Sequence, residues 1–541
     1  MDSFNTALSS ADVAHLQDFS AISYRRFDVP TLIACGRKLP EQLKNAENSA
    51  DKYAVLRQYD QQYRAYVQSV SQVIFLMADS AGEPSYQEEL DYYTGQLTAV
   101  HDANVLAKLS ILRGDLEELV KYTGKRYLID LQMQYFLQKP ETLQINAEQK
   151  TVYRKLQSLF QSLNYGQAEL TLRQKLQLTE SFNELLKLRL RKAKMLGYNN
   201  FGELAMSLAA GAELETTKLR TVRLAVQKYL VPLYKGLLQK FSLYEHGKVT
   251  FASQTQMFDG FIRLLNGSLP PAASDFLREM QAKGYVRIKP ADVNLPKIRQ
   301  LPDATLYLAK ERLPLILLHK FDHITDWSDL FEELAGSEFI RQNSGTDTLV
   351  ENELPDQAFR IYAGHVLESF CFENGSKIWG PTYFYRRVLQ ILEELLYVCL
   401  FTEFQEQIYL ANIQLNGDTI SLCTNLYSSL HELYFPGLKR YRRLIQRRNF
   451  SEIMKESFYQ QLNVLLKLSA LMMWDKSSLS PSADEKLAAF YSLLQLGANY
   501  TAVEAINLLK WPSAFDDDAI KRLAYKLAYR LEINELNHRV D

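Results

Sequence analysis

The feature that most constrains this chain is a helical periodicity that continues over most of its 541 residues. Apolar residues recur at three- and four-residue spacing in segments such as Tyr53–Val73, Ala147–Leu163 and Leu170–Leu196, which places them along one face of a helix. Proline and glycine are scarce, at 16 and 22 residues, and fall mostly between these segments. The pattern predicts a mainly α-helical protein.

Two interruptions of this pattern are informative. Leu196–Asn200 reads as a helix stop with Gly197 in the left-handed cap position, and a new helix is expected to begin near Phe201. From Gly284 to about His319 the chain instead shows alternating and β-branched apolar residues broken by prolines. This stretch predicts a small β-sheet, and helical patterning resumes at Asp326 and continues to the end.

Composition and charge exclude several classes of function. The chain is long enough for two or three lobes, and its 47% hydrophobic and 23% charged residues are ordinary for a water-soluble protein. A net charge of −1 gives no reason to expect nucleic acid or an anionic membrane as a partner. The N-terminus lacks a signal-peptide pattern, and apolar stretches such as Leu313–Leu318 are too short to span a bilayer. A cytoplasmic protein is expected.

The four cysteines sit singly, without the spacing of a metal site or a disulfide framework. Cys371 and Cys399 lie in aromatic and apolar surroundings, which are unsuitable for a nucleophilic thiolate. We therefore expect free, packed thiols at Cys35, Cys371, Cys399 and Cys423.

Four segments, taken in order, resemble one known family. They are KLRLRKAKMLGYNNFGELAM (Lys187–Met206), the sheet region with DLFEELAGSEF (Asp329–Phe339), GHVLESFCFENGSKIWG with LYVCLFTEFQEQIY (Gly364–Gly380 and Leu396–Tyr409), and NFSEIMKESFYQQLNVLLKLSALMMW (Asn449–Trp474). In this order they resemble the oligoendopeptidase F branch of the thimet-oligopeptidase family of zinc peptidases. The colinearity of the four matches carries the assignment.

The resemblance implies a fold and a division into lobes. The expected fold is mainly α, with two helical lobes enclosing a deep channel and a small sheet beside the former active site. The expected lobes are residues 1–205, an N-terminal helical lobe, and residues 206–541, a catalytic-like helical domain with a degenerate zinc site and the sheet at about residues 284–320.

The same resemblance locates a zinc site whose chemical residues have changed. An HExxH helix works because residues i and i+4 share a face and bind one ion, while the intervening glutamate takes a proton from the bound water. At these three positions the chain has Glu333, Leu334 and Ser337. The family's third ligand, a glutamate on the next helix, aligns with Ile361. A leucine cannot accept a proton, and a neutral serine hydroxyl is a poor zinc ligand.

The residues that assist catalysis in the family have also changed. The family's histidine and tyrosines near the last segment align with Glu452, Tyr459, Gln460 and Asn463, so only Tyr459 survives. We expect no catalytic residue and no cofactor, whereas the family uses zinc. The fallback candidates for a metal are Glu333, Glu368 and His365. Otherwise His365 is expected to be an interior histidine with a partner, and Glu332 and Glu338 are expected to be solvated.

Three hypotheses about function follow. The favoured one is a catalytically inactive relative that retains a peptide-binding channel, pairs a peptide or extended protein segment with the sheet edge, and acts by binding or regulation. The alternative is an active metallo-oligoendopeptidase with an unorthodox metal site. The third is an interaction protein whose channel is filled. Whether the chain is an enzyme stays open, and the sequence does not specify an oligomeric state.

Overall fold

The structure is a computed structural model, and the part of the chain that it describes consists mainly of helices with a small sheet. It describes residues 24–79, 84–109, 112, 116–124, 127–128, 131, 135, 139–162, 171–210, 216–241, 254–270, 275, 277–278, 282, 286–288, 304–310, 312–318, 326–344, 349–379, 382–410, 419–438, 457–478 and 482–533.

The helices and strands follow in chain order. The first group is α1 (Val29–Asn45), α2 (Ser49–Asp79), α3 (Pro84–Leu109), α4 (Leu116–Thr123), α5 (Pro140–Ser162), α6 (Leu172–Met195), α7 (Phe201–Ala210), α8 (Thr216–Ala225), a π-helical turn (Val226–Leu230), α9 (Val231–Phe241) and α10 (Gln254–Ser268). The sheet and the remaining helices are β1 (Val286–Ile288), β2 (Ala304–Leu308), β3 (Leu313–Leu318), α11 (Asp326–Asn343), α12 (Val350–Glu353), α13 (Gln357–Trp379), α14 (Thr382–Leu410), α15 (Thr419–Tyr434), α16 (Ser457–Ser478), α17 (Ala483–Leu496), α18 (Ala502–Leu508) and α19 (Asp517–Arg530). The prediction of a mainly helical fold is confirmed.

Helix α6 shows how local sequence sets the ends of these helices. Thr171 accepts a hydrogen bond from the backbone of Gln174, whose side chain in turn accepts one from the backbone of Thr171, so two otherwise unpaired amides are satisfied. At the other end Gly197 adopts a φ of 87°, which an L side chain disfavours. The predicted stop and the new helix at Phe201 are both confirmed.

The small sheet has three strands in the order β1-β3-β2. β1 runs parallel to β3, with Val286 opposite Ile316, and β2 runs antiparallel to β3, with Ala304 opposite Leu317. All three strands fall within the predicted region of about 284–320. The sheet is covered by α11, which packs against β3.

One compact unit of the chain is drawn from Met1–Gln132, His246–Phe384 and Met473–Trp511. Its N-terminal helices α1 to α4 enclose a core in which several of the buried residues are tyrosines, including Tyr59, Tyr66 and Tyr93. A second small core joins Tyr307 of β2 to Ile340 of α11, with Tyr63 of α2 packed against it. The first helices of the chain therefore pack against the sheet region.

A buried ion cluster strengthens this packing. Arg64 of α2 donates to Glu353 of α12 at 2.6 Å and to the backbone oxygen of Ala309 at 3.1 Å, and it lies 3.3 Å from Asp60. The hydroxyl of Tyr307 also donates to Glu353, which is fully buried. Burial and the neighbouring carboxylate raise the pKa of Tyr307, so this hydroxyl remains a donor.

The other compact unit is drawn from Met133–Glu245, Tyr385–Met472 and Pro512–Asp541. Arg189 of α6 lies almost wholly buried in it, donating to the hydroxyls of Tyr409 and Tyr153 and lying 4.9 Å from the ring of Phe201. Both units are discontinuous in sequence. The predicted division at residue 205 stays a prediction.

None of the described helices combines the length and the apolar character that crossing a membrane requires.

Candidate functional site

The candidate site is built from α11, α13 and strand β2, all within the first unit. α11 and α13 pack closely because Gly364 lies directly against α11. A Cβ atom at Gly364 would lie only 2.6 Å from the Cα of Glu332, and its surroundings there are mostly backbone. This contact brings the residues aligned with the first zinc ligands next to the helix that would supply the third.

Glu333, which the sequence prediction aligns with the family's first histidine, has a buried side chain. One carboxylate oxygen accepts a hydrogen bond from Arg360 Nη1 at 2.9 Å, which is also an ion pair. The other accepts one from the hydroxyl of Thr305 on β2 at 2.5 Å. Both oxygens of the carboxylate are therefore engaged by this chain's own donors.

Arg360 reaches Glu333 by passing over a glycine. A Cβ at Gly336 would lie 3.3 Å from Arg360 Cδ and 3.2 Å from the hydroxyl of Thr305, tighter than ordinary van der Waals contact. The arginine side chain is 25% exposed whereas that of Glu333 is 3% exposed, so the guanidinium reaches from the edge of the site to its buried carboxylate.

The other three positions of the aligned zinc motif offer no ligand or base. Leu334 and Ile361 are apolar, and both are buried. The hydroxyl of Ser337, fully buried, donates to the backbone oxygen of Glu333 at 2.9 Å, one helical turn earlier. With one committed carboxylate, one committed hydroxyl and two apolar residues, this donor set does not fit a three-ligand zinc site.

A second buried polar cluster lies beside the first. His365 Nδ1 is 2.9 Å from Glu368 Oε2, and His365 Nε2 is 3.4 Å from Glu332 Oε1. The hydroxyl of Tyr383 donates to Glu368 at 3.4 Å. His365 is thus an interior histidine with partners, as the sequence predicted.

The fallback metal ligands are not brought together. Glu368 and His365 lie side by side, but the carboxylate of Glu333 faces Arg360 and Thr305 instead. Within the described part of the chain, no group of three or more histidine, cysteine, aspartate or glutamate side chains could hold a metal ion. Whether the protein binds a metal stays a prediction.

The expectation that Glu332 and Glu338 are solvated is wrong. Glu338 is 5% exposed and forms an ion pair with Arg341 at 2.6 Å. The side chain of Glu332 is 14% exposed and faces His365. Both carboxylates lie on a helix packed on several sides, and the charge of Glu338 is compensated by Arg341.

The positions aligned with the family's histidine and tyrosines belong to the second unit. Gln460 and Asn463, both half-buried, lie on α16. Glu452 and the side chain of Tyr459 lie outside the described residues. The structure therefore leaves the predicted roles at these positions as predictions.

The thiols show no sign of activation. Burial raises the pKa of Cys371, Cys399 and Cys423 to about 12, so each holds its proton at neutral pH. Cys35 is half-buried and packs against the tyrosine-rich core. All four are free, as predicted.

Comparison with known proteins identifies the fold of the chain. No family model matches the sequence, and no curated protein matches it. Solved structures do match: one assigned as oligoendopeptidase F (16% identity, TM-score 0.70), PZ peptidase A with an inhibitor (15%, 0.68) and one assigned as oligoendopeptidase F from Bacillus anthracis (14%, 0.67). They cover 96%, 95% and 96% of this chain, and 99%, 99% and 98% of their own.

A likeness that spans both chains almost completely defines the class, a helical peptidase fold. More specifically, the chain has the oligoendopeptidase F fold, so the resemblance seen in the sequence is confirmed at the level of fold.

Sequence reasoning missed Arg360 and Thr305, the two residues that engage Glu333. A signal for Arg360 was present, because it directly precedes Ile361, the position aligned with the third ligand. A glutamate in an otherwise apolar helix face needs a cation, and the neighbouring helix supplies one. Thr305 had no comparable signal, since its approach to Glu333 depends on how the sheet meets α11.

Proposed function

We propose that this chain is a catalytically inactive oligoendopeptidase F-like protein that binds a peptide or an extended protein segment and acts by binding or regulation. One observation carries the proposal. The residue aligned with the first zinc ligand is a buried carboxylate that pairs with Arg360 rather than standing available to a metal.

The chemistry around this pair supports the proposal. Hydrolysis by a zinc peptidase needs an open metal position and a base beside the bound water. Leu334 provides no base, and Ser337 uses its hydroxyl within its own helix. A guanidinium supplies positive charge to Glu333, but it has no exchangeable position at which water could be activated.

The sheet restricts how an extended segment could add to it. Along the outer edge of β2, the backbone N–H of Tyr307 donates to the hydroxyl of Ser71 at 3.2 Å. Just beyond the strand, the N–H of Lys310 donates to Gln68 at 3.1 Å. Because α2 already satisfies these donors, a ligand that pairs by strand addition would use the opposite edge, β1.

The test of inactivity uses untagged protein and two measurements. Metal content is measured by mass spectrometry, and cleavage of internally quenched peptides is followed with and without EDTA. We expect little zinc and no EDTA-sensitive cleavage, because no residue at the aligned base position can accept a proton.

The matched control is Glu333→Ala. EDTA-sensitive cleavage that disappears in this variant would establish the alternative, an active peptidase with an unorthodox metal site, and would overturn the proposal. Cleavage that persists equally in the variant would come from another enzyme in the preparation.

Ligand binding is tested separately, by hydrogen exchange of the intact protein in the presence of a pool of extended peptides. The proposal predicts slower exchange in β1 and no change at the amides of Tyr307 and Lys310. Protection of β2 instead would show that α2 moves away from the sheet.

A further inference from the structure

A second surface, formed by residues other than those of the candidate site, lies in the other unit. The continuous helical segment 216–241, formed by α8, the π-helical turn and α9, contains six lysines and arginines and no aspartate or glutamate. In a chain with a net charge of −1, this is a marked local excess of positive charge.

Helix α19 extends this surface. It packs along α8 and the π-helical turn, and the rings of Tyr229 and Tyr525 meet with centroids 6.3 Å apart. α19 contributes four more cations and two aspartates, the latter in its first turn. The two segments together place ten cations and two anions on neighbouring helices.

Exposed residues include a stripe along the first helix, and α19 has a second stripe in which Tyr525 is half-buried. On the first helix Lys218, Thr221, Leu224, Lys228 and Lys235 are exposed at three-, four- and seven-residue steps, which is the repeat of a helix face. On α19 the residues Lys521, Tyr525 and Tyr529 are four apart and share a face. We call these two stripes, joined at Tyr229 and Tyr525, the basic–tyrosine surface.

Part of this charge is neutralised within the chain. Arg220 and Arg223 both pair with Glu406, and Lys240 donates to Glu532 at 2.9 Å. In contrast, Lys218, Lys235 and Lys521 are exposed and form no ion pair with any described residue. Among the described residues, no carboxylate competes with an anionic partner for these ammonium groups.

Exposed tyrosine and leucine side chains lie among these charged residues. Tyr529 is 90% exposed and Leu224 is 60% exposed, which is high for residues of their size. Tyrosine combines apolar contact area with a hydroxyl that can donate to a carboxylate, and it is enriched where proteins dock.

We propose that the basic–tyrosine surface docks an acidic segment of a partner polypeptide. Lysine ammonium groups would pair with its carboxylates, and Tyr529 and Leu224 would receive its apolar side chains. α19, with 14 residues, is about 21 Å long, enough to contact several residues of an extended segment.

Two other anionic partners fit the surface less well. Single-stranded nucleic acid binds by stacking successive bases on several open aromatic rings. Here Tyr229 and Tyr525 pack against each other and Lys228 lies 5.1 Å above the ring of Tyr229, which leaves Tyr529 as the open ring of this surface. A membrane would need a broad apolar face, whereas these stripes are mostly charged and polar.

The experiment measures binding of the intact protein to a fluorescently labelled glutamate-rich peptide containing leucine and phenylalanine. Fluorescence anisotropy is recorded at low and at high salt. We expect saturable binding that weakens steeply with salt, because exposed ion pairs are screened.

Variants then locate the site. Lys228→Glu combined with Lys521→Glu should weaken binding at least about tenfold, because charge reversal turns attraction into repulsion. Tyr529→Ala should weaken it by several fold, through loss of apolar contact. The matched controls, Lys187→Glu and Tyr135→Ala, change exposed residues of the same unit outside the surface and should leave the affinity unchanged.

Three results would overturn the proposal. The first is no binding of the acidic peptide. The second is an equal loss of affinity in the Lys187→Glu control, which would indicate a general charge effect. The third is tighter binding of an oligothymidylate or of vesicles containing phosphatidylserine than of the peptide. Circular dichroism of each variant confirms that the helices remain folded.

Discussion

A buried carboxylate is stable only when a cation, a metal or several hydrogen bonds compensate its charge. Glu333 receives that compensation from Arg360 and Thr305. In the family pattern two histidines and a glutamate surround a metal ion. Here the carboxylate of Glu333 is instead paired with the guanidinium of Arg360. Both oxygens of the Glu333 carboxylate therefore already have a partner within the chain.

The ion pair of Glu333 and Arg360 leads to a prediction about the free energy of unfolding. Arg360→Met should destabilise the fold by about 3 kcal/mol, because it leaves the carboxylate of Glu333 buried without its cation. Adding Glu333→Gln should restore much of the loss, since an amide carries no charge. Urea unfolding of the two single variants and the double variant measures the coupling.

The control for that experiment is the exposed pair of Arg191 with Glu148, whose side chains are 54% and 36% exposed. Arg191→Met should change the free energy of unfolding by less than about 1 kcal/mol. If Arg360→Met were equally mild, the Glu333 carboxylate would not depend on the guanidinium.

A second prediction at the residue scale concerns reconstruction of the site. The substitutions Glu333→His, Leu334→Glu, Ser337→His and Ile361→Glu restore the family pattern. Arg360 would then face a bound cation with its own positive charge. Zinc affinity should therefore be at least about tenfold higher when Arg360→Met is added.

Zinc binding of the two reconstructed proteins is compared by competition with a chromogenic chelator. Equal affinity would show that Arg360 does not oppose the metal. No zinc binding in either protein would show that the residues were aligned wrongly with the family pattern.

At the scale of elements, the contact between α11 and α13 decides whether the site exists. Gly364 allows the two helices to approach until a Cβ would lie 2.6 Å from the backbone of Glu332. A backbone cannot rotate away as a flexible side chain can, so any larger residue must push the helices apart. That movement would also separate Glu333 on α11 from Arg360 on α13.

The prediction is that Gly364→Ala destabilises the protein by about 1–3 kcal/mol. Gly95→Ala is the matched control, because Gly95 is an exposed position of α3 with nothing within 4 Å of its added Cβ. That control should stabilise by up to about 1 kcal/mol, through helix propensity. Thermal unfolding of both variants measures the change in stability that each substitution causes. A stabilising effect of both substitutions would contradict the close approach of Gly364 to α11.

For the whole molecule, the N-terminal helices are part of the unit that contains the candidate site. Arg64 of α2 neutralises the buried Glu353, and Ser71 satisfies the amide of Tyr307. Without α2, the sheet would expose an unpaired edge and a buried carboxylate would lose its cation.

This arrangement predicts the behaviour of a fragment cut at the expected lobe boundary. Residues 206–541 expressed alone should lack a cooperative thermal transition and should be digested rapidly by protease, whereas the full chain should resist. A fragment that unfolds cooperatively, with native-like near-ultraviolet circular dichroism, would show that the division at residue 205 marks an independent domain.

Particular residues show how far sequence could predict this protein. The repeat of apolar residues predicted the helices, and Gly197 predicted a helix end, because both depend on neighbours within a few positions. The alignment of Glu333, Leu334 and Ser337 with a zinc motif rests on the colinear resemblance and stays a prediction. The burial of Glu338 was predicted wrongly, because the faces of α11 that are covered depend on elements distant in sequence.

The sequence by itself determined the helical class and the position of the small sheet. Only the tertiary structure decided which partners surround Glu333. The Glu333–Arg360 pair needs the close packing of α11 on α13, and its bond to Thr305 needs the sheet beside them. Such contacts join residues about 27 positions apart in sequence or more, and their energies depend on burial and orientation, which no local pattern specifies.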